Sequence, residues 1–210
     1  MAAKMNNKFN WIFCHRGLWD KKEKQNSRSS ILAATKNGFA SEIDVRLANN
    51  LAYVGHEPKL WDLNYSFKNY DFTDSRLAIN IKSDGLYLII EDFNEFLNQS
   101  QSFVFDGSIP EMLNYKKLGL PHALRISEYE PDLPWNSEYV WVDAFWDDWW
   151  VNNKFIEELL LKKQLVFVSP EIHKRPHERS WEWLLKKRSQ GFSNISICTD
   201  FPLELSRLES

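Results

Sequence analysis

Residues 41–47 read Ser-Glu-Ile-Asp-Val-Arg-Leu. Side chains along a strand alternate between its two faces. Glu42, Asp44 and Arg46 therefore share one face, and Ile43 and Val45 share the other. Apolar Ile43 and Val45 belong against helices, which leaves Glu42, Asp44 and Arg46 facing the interior or the mouth of a sheet closed on itself. Burying carboxylates there is costly unless each is paired or bound to a cation.

The rest of the chain repeats this short β-rich pattern, with helix-like runs between most repeats. The strand candidates are 11–17, 41–47, 77–82, 101–107, 123–127, 139–145, 164–169 and 192–200, each rich in β-branched or aromatic residues. The helix candidates are 27–38, 85–100, 109–119, 152–164 and 180–191. Ser27 or Ser29 offers an N-cap, and Gly38, Gly119 and Gly191 fall just past C-termini. The stretches after the second and fifth strands lack a convincing helix, and 58–76 looks like an irregular aromatic loop. Strands alternating with helices imply parallel pairing. Eight of them predict a small (β/α)8 barrel with some missing or shortened helices, built as one domain over residues 1–210. An open doubly wound sheet is the alternative, but the glycine-rich phosphate loop of a dinucleotide fold is absent.

Composition limits the function classes. Hydrophobic residues make up 43% and charged residues 26%, ordinary for a protein with a real core. A net charge of −3 argues against a general nucleic-acid binder. The sequence has neither a secretory signal nor an apolar run long enough for a membrane span, so a cytoplasmic location is expected. Cys14 and Cys198 alone make no disulfide framework and no cysteine zinc site. Ten tryptophans are unusual. They either pack the core or form an aromatic wall around an organic headgroup or sugar.

Polar residues end nearly every strand, where barrel enzymes place their reactive groups. His15-Arg16-Gly17 closes the first strand. Asn80 and Lys82 share a face of the third, and Asp106 ends the fourth. The fifth carries Arg125 and the sixth Asp143. The seventh ends near Glu171 and His173, and the eighth at Thr199-Asp200. A hairpin return at 51–58 presents His56.

Taken in order, CHRGLWD (14–20), QNS (25–27), SEIDVRL (41–47), VGHEP (54–58) and the closing GFSNISICTDFP (191–202) resemble the glycerophosphodiester phosphodiesterase family. The likeness is close at the two ends of the chain and rests on strand order between them. It implies metal-dependent hydrolysis of a small phosphodiester such as a glycerophosphodiester, within lipid metabolism. His15 and His56 are then the acid and base. The metal would be one Mg²⁺ or Ca²⁺, because oxygen donors suit hard cations. Glu42 and Asp44 would hold it, completed by Asn80 or Asp106. Arg16, Lys82 and Arg125 would meet phosphate or brace the carboxylates. Three residues depart from the family pattern. Gln25 and Glu57 replace a glutamate and an aspartate, and Asn80 stands where the family carries a metal-binding glutamate. Two alternatives follow: a degenerate barrel that binds a phosphorylated ligand without hydrolysing it, and a phospholyase that releases cyclic phosphate.

Overall fold

The computed structural model describes residues 10–57, 59, 62–89, 97 and 100–209. Its strands are β1 Ile12–His15, β2 Ala40–Ala48, β3 Leu51–Val54, β4 Leu77–Ile81, β5 Phe103–Phe105, β6 Ala123–Ile126, β7 Tyr139–Val142, β8 Gln164–Val168 and β9 Ile195–Thr199. They form one sheet in the order β5-β4-β2-β1-β9-β8-β7-β6, with β3 paired antiparallel to β2 outside that path. The other pairings are parallel. The two ends of the sheet meet where Val104 N–H donates to Pro121 O at 3.2 Å, at a parallel bridge between Val104 and His122 just before β6. The result is a nearly closed eight-stranded parallel barrel, as the alternation of strands and helices predicts.

The helices among the described residues are α1 Arg28–Lys36, α2 Ile109–Lys117, α3 Lys154–Leu160, α4 Glu178–Ser189 and α5 Pro202–Leu208. Ser27 caps α1 by accepting the Ser30 N–H, and Ser108 and Asn153 cap α2 and α3 in the same way. The helix expected at 85–100 starts as a 3-10 turn at Leu86–Ile89, and most of its remainder lies outside the described residues. The 58–76 stretch carries two 3-10 turns, and 127–138 has no helix. No helix among the described residues is long and apolar enough to cross a membrane.

Strand parity sorts the core. Phe13, Ala40, Ala78, Phe103, Phe105, Ala123, Tyr139, Trp141, Val166, Val168 and Cys198 form one buried cluster. Residues of that parity point into the barrel. Phe105 stacks on Trp141 with centroids 3.9 Å apart, and Phe103 stacks on Tyr139 at 4.7 Å. These rings plug the interior, as layered side chains do in such barrels. Two positions further along the same strands, and so at the C-terminal mouth, the same parity gives His15, Glu42, Asn80, Arg125, Asp143 and Asp200, and two beyond Glu42 it gives Asp44. Ile12, Cys14, Val140, Val142, Leu165, Phe167 and Ile197 have the opposite parity and pack outward with Ile156, Trp181 and Leu184 of α3 and α4. Both cysteines are free and buried. Half of the ten tryptophans are core: Trp11, Trp141, Trp150, Trp181 and Trp183 are all buried.

Candidate active site

The mouth is organised around strands β1, β2 and β4. Parallel register sets His15 beside Glu42, and Asp44 beside Asn80. Glu42 and Asp44 are 2% and 0% exposed, so water screens neither. Burial, followed by the nearby Asp44 charge, pushes the Glu42 carboxyl up to about 7.

Asp44 is held from several sides. Asn26 donates to its Oδ2 at 2.9 Å and accepts its backbone N–H at 3.0 Å. The guanidinium Nε of Arg16 lies 2.9 Å from the same Oδ2, as an ion pair without hydrogen-bond alignment. Lys82 Nζ lies 3.3 Å from Oδ1. Oδ1 of Asp44 and Oδ1 of Asn80 are both buried and accept no hydrogen bond. Glu42 accepts one backbone bond, from Arg16 N–H at 3.2 Å.

The turn after β1 makes this approach possible. Arg16 and Gly17 both take positive φ, 60° and 84°. A Cβ on Gly17 would come within 2.6 Å of Ser30 Oγ and 2.9 Å of the Ser30 carbonyl carbon. Only glycine lets the strand end press against the start of α1. The His-Arg-Gly order thus has a backbone reason as well as a chemical one.

His15 is oriented by Asp200, whose Oδ1 lies 2.8 Å from its Nδ1. Burial alone would lower its pKa. The Asp200 hydrogen bond and the charges of Glu42 and Asp200 outweigh burial, and the net shift is upward. Glu171 ties the end of β9 in place, accepting from the Asp200 N–H at 3.0 Å and the Thr199 hydroxyl at 2.5 Å.

His56 arrives by the β2–β3 hairpin. Asn49 and Asn50 turn the chain at φ 49° and 57°, a pair suited to a tight hairpin. The return strand comes back to the level of the site, where Gly55 N–H donates to Asp44 O at 2.8 Å. The His56 ring is 47% exposed, and its Nδ1 lies 3.2 Å from Glu57 Oε1. Arg46 braces this corner, donating to His56 O at 2.7 Å and to Lys82 O at 3.0 Å.

Asp106 and Arg125 lie across the barrel seam and pair with each other, Nη1 to Oδ1 at 2.5 Å. Asp106 breaks the strand alternation with φ 67°. Arg125 also holds Glu130. Burial raises the Asp106 pKa, against the pull of Arg125 and Lys82. Asp143 and His173 form a further pair, Oδ1 to Nε2 at 2.7 Å.

The structure therefore gathers His15, Arg16, Glu42, Asp44, Asn80 and Lys82 in one cluster, brings His56 to its rim and leaves Asp106 and Arg125 as a separate ion pair. Among the described residues, no three Asp, Glu, His or Cys side chains converge on one point that could hold a metal ion. The oxygen set on β2 and β4 is two carboxylates and one amide. Two of its buried oxygens accept no hydrogen bond, and among the described residues Asp44 Oδ1 meets only the Lys82 ammonium; this oxygen set suits a hard cation. Asn26, Arg46 and Asp200 complete the site; the sequence placed Arg46 and Asp200 at the mouth without giving either a role, and it gave Asn26 none. Asn26 carried a signal in its QNS motif, and Asp200 carried one in its TDFP ending.

No protein-family model matches the chain, and no characterised protein matches it by sequence. Among solved structures, the glycerophosphodiester phosphodiesterase from Agrobacterium tumefaciens str. C58 superposes with a TM-score of 0.64. The alignment covers 95% of this chain and 99% of that one, at 11% identity. The likeness shows a shared fold.

Proposed function

We propose that this barrel hydrolyses a phosphodiester such as a glycerophosphodiester, with one Mg²⁺ or Ca²⁺ held by Glu42, Asp44 and Asn80. The observation that carries the reading is the buried oxygen cluster on β2 and β4, with two of its oxygens accepting no hydrogen bond, beside a histidine fixed by an aspartate. When bound, such a cation supplies charge neutralisation at the phosphate.

The chain's own groups would do the rest. Arg16 and Lys82 lie against Asp44, where they can also meet phosphate oxygens; the planar fork of Arg16 suits paired contacts. His15 keeps Nε2 free of Asp200, so that nitrogen is the one to face a substrate. His15 and His56 divide two tasks. One takes a proton from the attacking water as its oxygen bonds to phosphorus. The other gives a proton to the departing alcohol oxygen as its bond to phosphorus breaks. The fold of the Agrobacterium enzyme supports this assignment of reaction class.

The ion pairs to Asp44 favour a second reading, in which Arg16 and Lys82 already neutralise the site and the barrel binds a phosphorylated ligand without cleaving it. Turnover of glycerophosphodiesters, followed by product mass with Mg²⁺ or Ca²⁺ present, separates the two. Replacing His15 or His56 by alanine should cut turnover about 10²-fold or more, since general acid–base steps contribute about 10²–10⁴. An activated aryl diester should partly rescue the variant that lost the acid and not the one that lost the base. Near-normal rates in both variants on an alkyl diester would rule out the two-histidine mechanism.

A further inference from the structure

One stretch of the mouth is aromatic and open to solvent. Tyr129 follows β6 and Trp146 follows β7, and they are 65% and 72% exposed. The Trp146 indole N–H donates to the Tyr129 hydroxyl at 2.5 Å. That bond ties the polar ends of the two side chains together. Phe145 backs the pair, 5.7 Å from the Tyr129 ring and 4.8 Å from the His173 ring.

This shelf is built rather than loose. Glu128 accepts the backbone N–H groups of Phe145, at 3.1 Å, and Trp146, at 3.0 Å. Those bonds hold the loop after β7 against the loop after β6. Partial burial alone would raise the Glu128 pKa, but the backbone donors outweigh it and the net shift is downward. The shelf, with Ile172, His173 and Lys174, encloses an open hollow of about 510 Å³. His173 joins it to the mouth through Asp143. Exposed aromatic area of this kind costs hydration and marks a contact surface.

We propose that this shelf is the subsite for one alcohol group of the diester, and that the group is a sugar ring. The inference rests on the phosphodiesterase reading above. Three features select a sugar. The two exposed, hydrogen-bonded aromatic side chains offer apolar area to the C–H face of a pyranose. The lining carries an imidazole, an ammonium and the Tyr129 hydroxyl, so it can both donate to hydroxyls and accept from them. The hollow is open on one side, whereas a quaternary ammonium needs rings on several sides and an acyl chain needs a groove free of charge.

The test uses Trp146→Ala and Tyr129→Phe, with saturation-transfer NMR and steady-state kinetics. Glucose 1-phosphate is the binding probe. A glucosyl glycerol phosphodiester and glycerophosphoethanolamine are the paired substrates. Wild type should show saturation transfer to the ring protons of the sugar, and Trp146→Ala should lose it. Trp146→Ala should raise KM for the glucosyl diester about fivefold or more, in keeping with typical aromatic contacts, and change KM for glycerophosphoethanolamine much less. Tyr129→Phe breaks the hydrogen bond and keeps the ring, so it should have the same effect in weaker form. Equal losses on both diesters, or unchanged transfer to glucose 1-phosphate in Trp146→Ala, would overturn the sugar subsite. Trp146-dependent binding of glucose 1-phosphate with no diester turnover would keep the subsite and reject the hydrolase.

Discussion

The substitution Glu42→Gln should make the metal-free protein more stable at pH 8. The Glu42 carboxyl is almost fully buried beside Asp44, and its pKa rises from an ordinary 4.5 to about 7. A carboxyl whose folded pKa lies above its unfolded pKa favours folding only while it is protonated. Its contribution is intact below about pH 4.5 and is lost as pH climbs through about 7. A shift of that size corresponds to about 3 kcal/mol once both states are ionised. The amide introduced by Glu42→Gln keeps an oxygen for the Arg16 N–H and never ionises. The variant should therefore recover about 3 kcal/mol at pH 8 and almost nothing at pH 4.5. For a chain of this length that is a rise in Tm of roughly 6–12 °C. Urea denaturation in chelator, at pH 5 and pH 8, measures the difference directly. Adding Mg²⁺ or Ca²⁺ should stabilise wild type and do much less for Glu42→Gln, because binding to the folded state alone raises stability. A Glu42→Gln variant no more stable than wild type at pH 8, or equally shifted at both pH values, would refute the buried-pair argument.

Asn80→Glu places a third carboxylate beside Asp44, and it should lower stability in chelator while tightening Ca²⁺ or Mg²⁺ about tenfold or more, since ligand charge sets affinity at oxygen sites. Calorimetry of both forms checks it, and an unchanged metal affinity would remove Asn80 from the cation set. Asp44→Asn should abolish most metal binding in the same titration. Gly17→Ala forces a Cβ to within 2.6 Å of Ser30 Oγ at a φ of 84°, and it should destabilise the fold by about 2–4 kcal/mol in denaturant titration.

The barrel was legible because its signals are local. The two-residue alternation in SEIDVRL sent Glu42 and Asp44 inward and Ile43 and Val45 outward, and the structure buries each on that side. The Ser27 cap and the hairpin after β2 follow equally short rules. What stayed hidden spans long distances or breaks the alternation. His15 and its partner Asp200 are 185 positions apart, and only closure of the sheet sets β1 beside β9. Asp106 follows a strand that its parity would turn outward, yet its left-handed backbone swings the carboxylate to Arg125. Helix α5 went unread although Pro202 stands in its first turn, a usual opening position. It is a single short helix after the last strand, with no following strand to bracket it.

Charge pairing at the mouth explains why Glu42 matters most. Asp44 has Arg16, Lys82 and Asn26; Asp106 has Arg125; Asp200 has His15; Asp143 has His173. Glu171 takes hydroxyl and backbone donors at the ends of β8 and β9. Each of these acids meets a cation, an imidazole or several donors at contact distance. Glu42 meets a single backbone N–H at 3.2 Å, and the positive groups of His15, Lys82 and Arg16 act on it only at longer range. A buried carboxylate with so little compensation must take up a proton or a cation. Near neutral pH the two compete for the same oxygens, so binding a divalent ion there should release close to one proton from Glu42. Calorimetric titration of metal at pH 6.5 in two buffers of different ionisation enthalpy reads that proton directly. Its disappearance in Glu42→Gln would assign the release to this one side chain, and equal release in both forms would send the cation elsewhere.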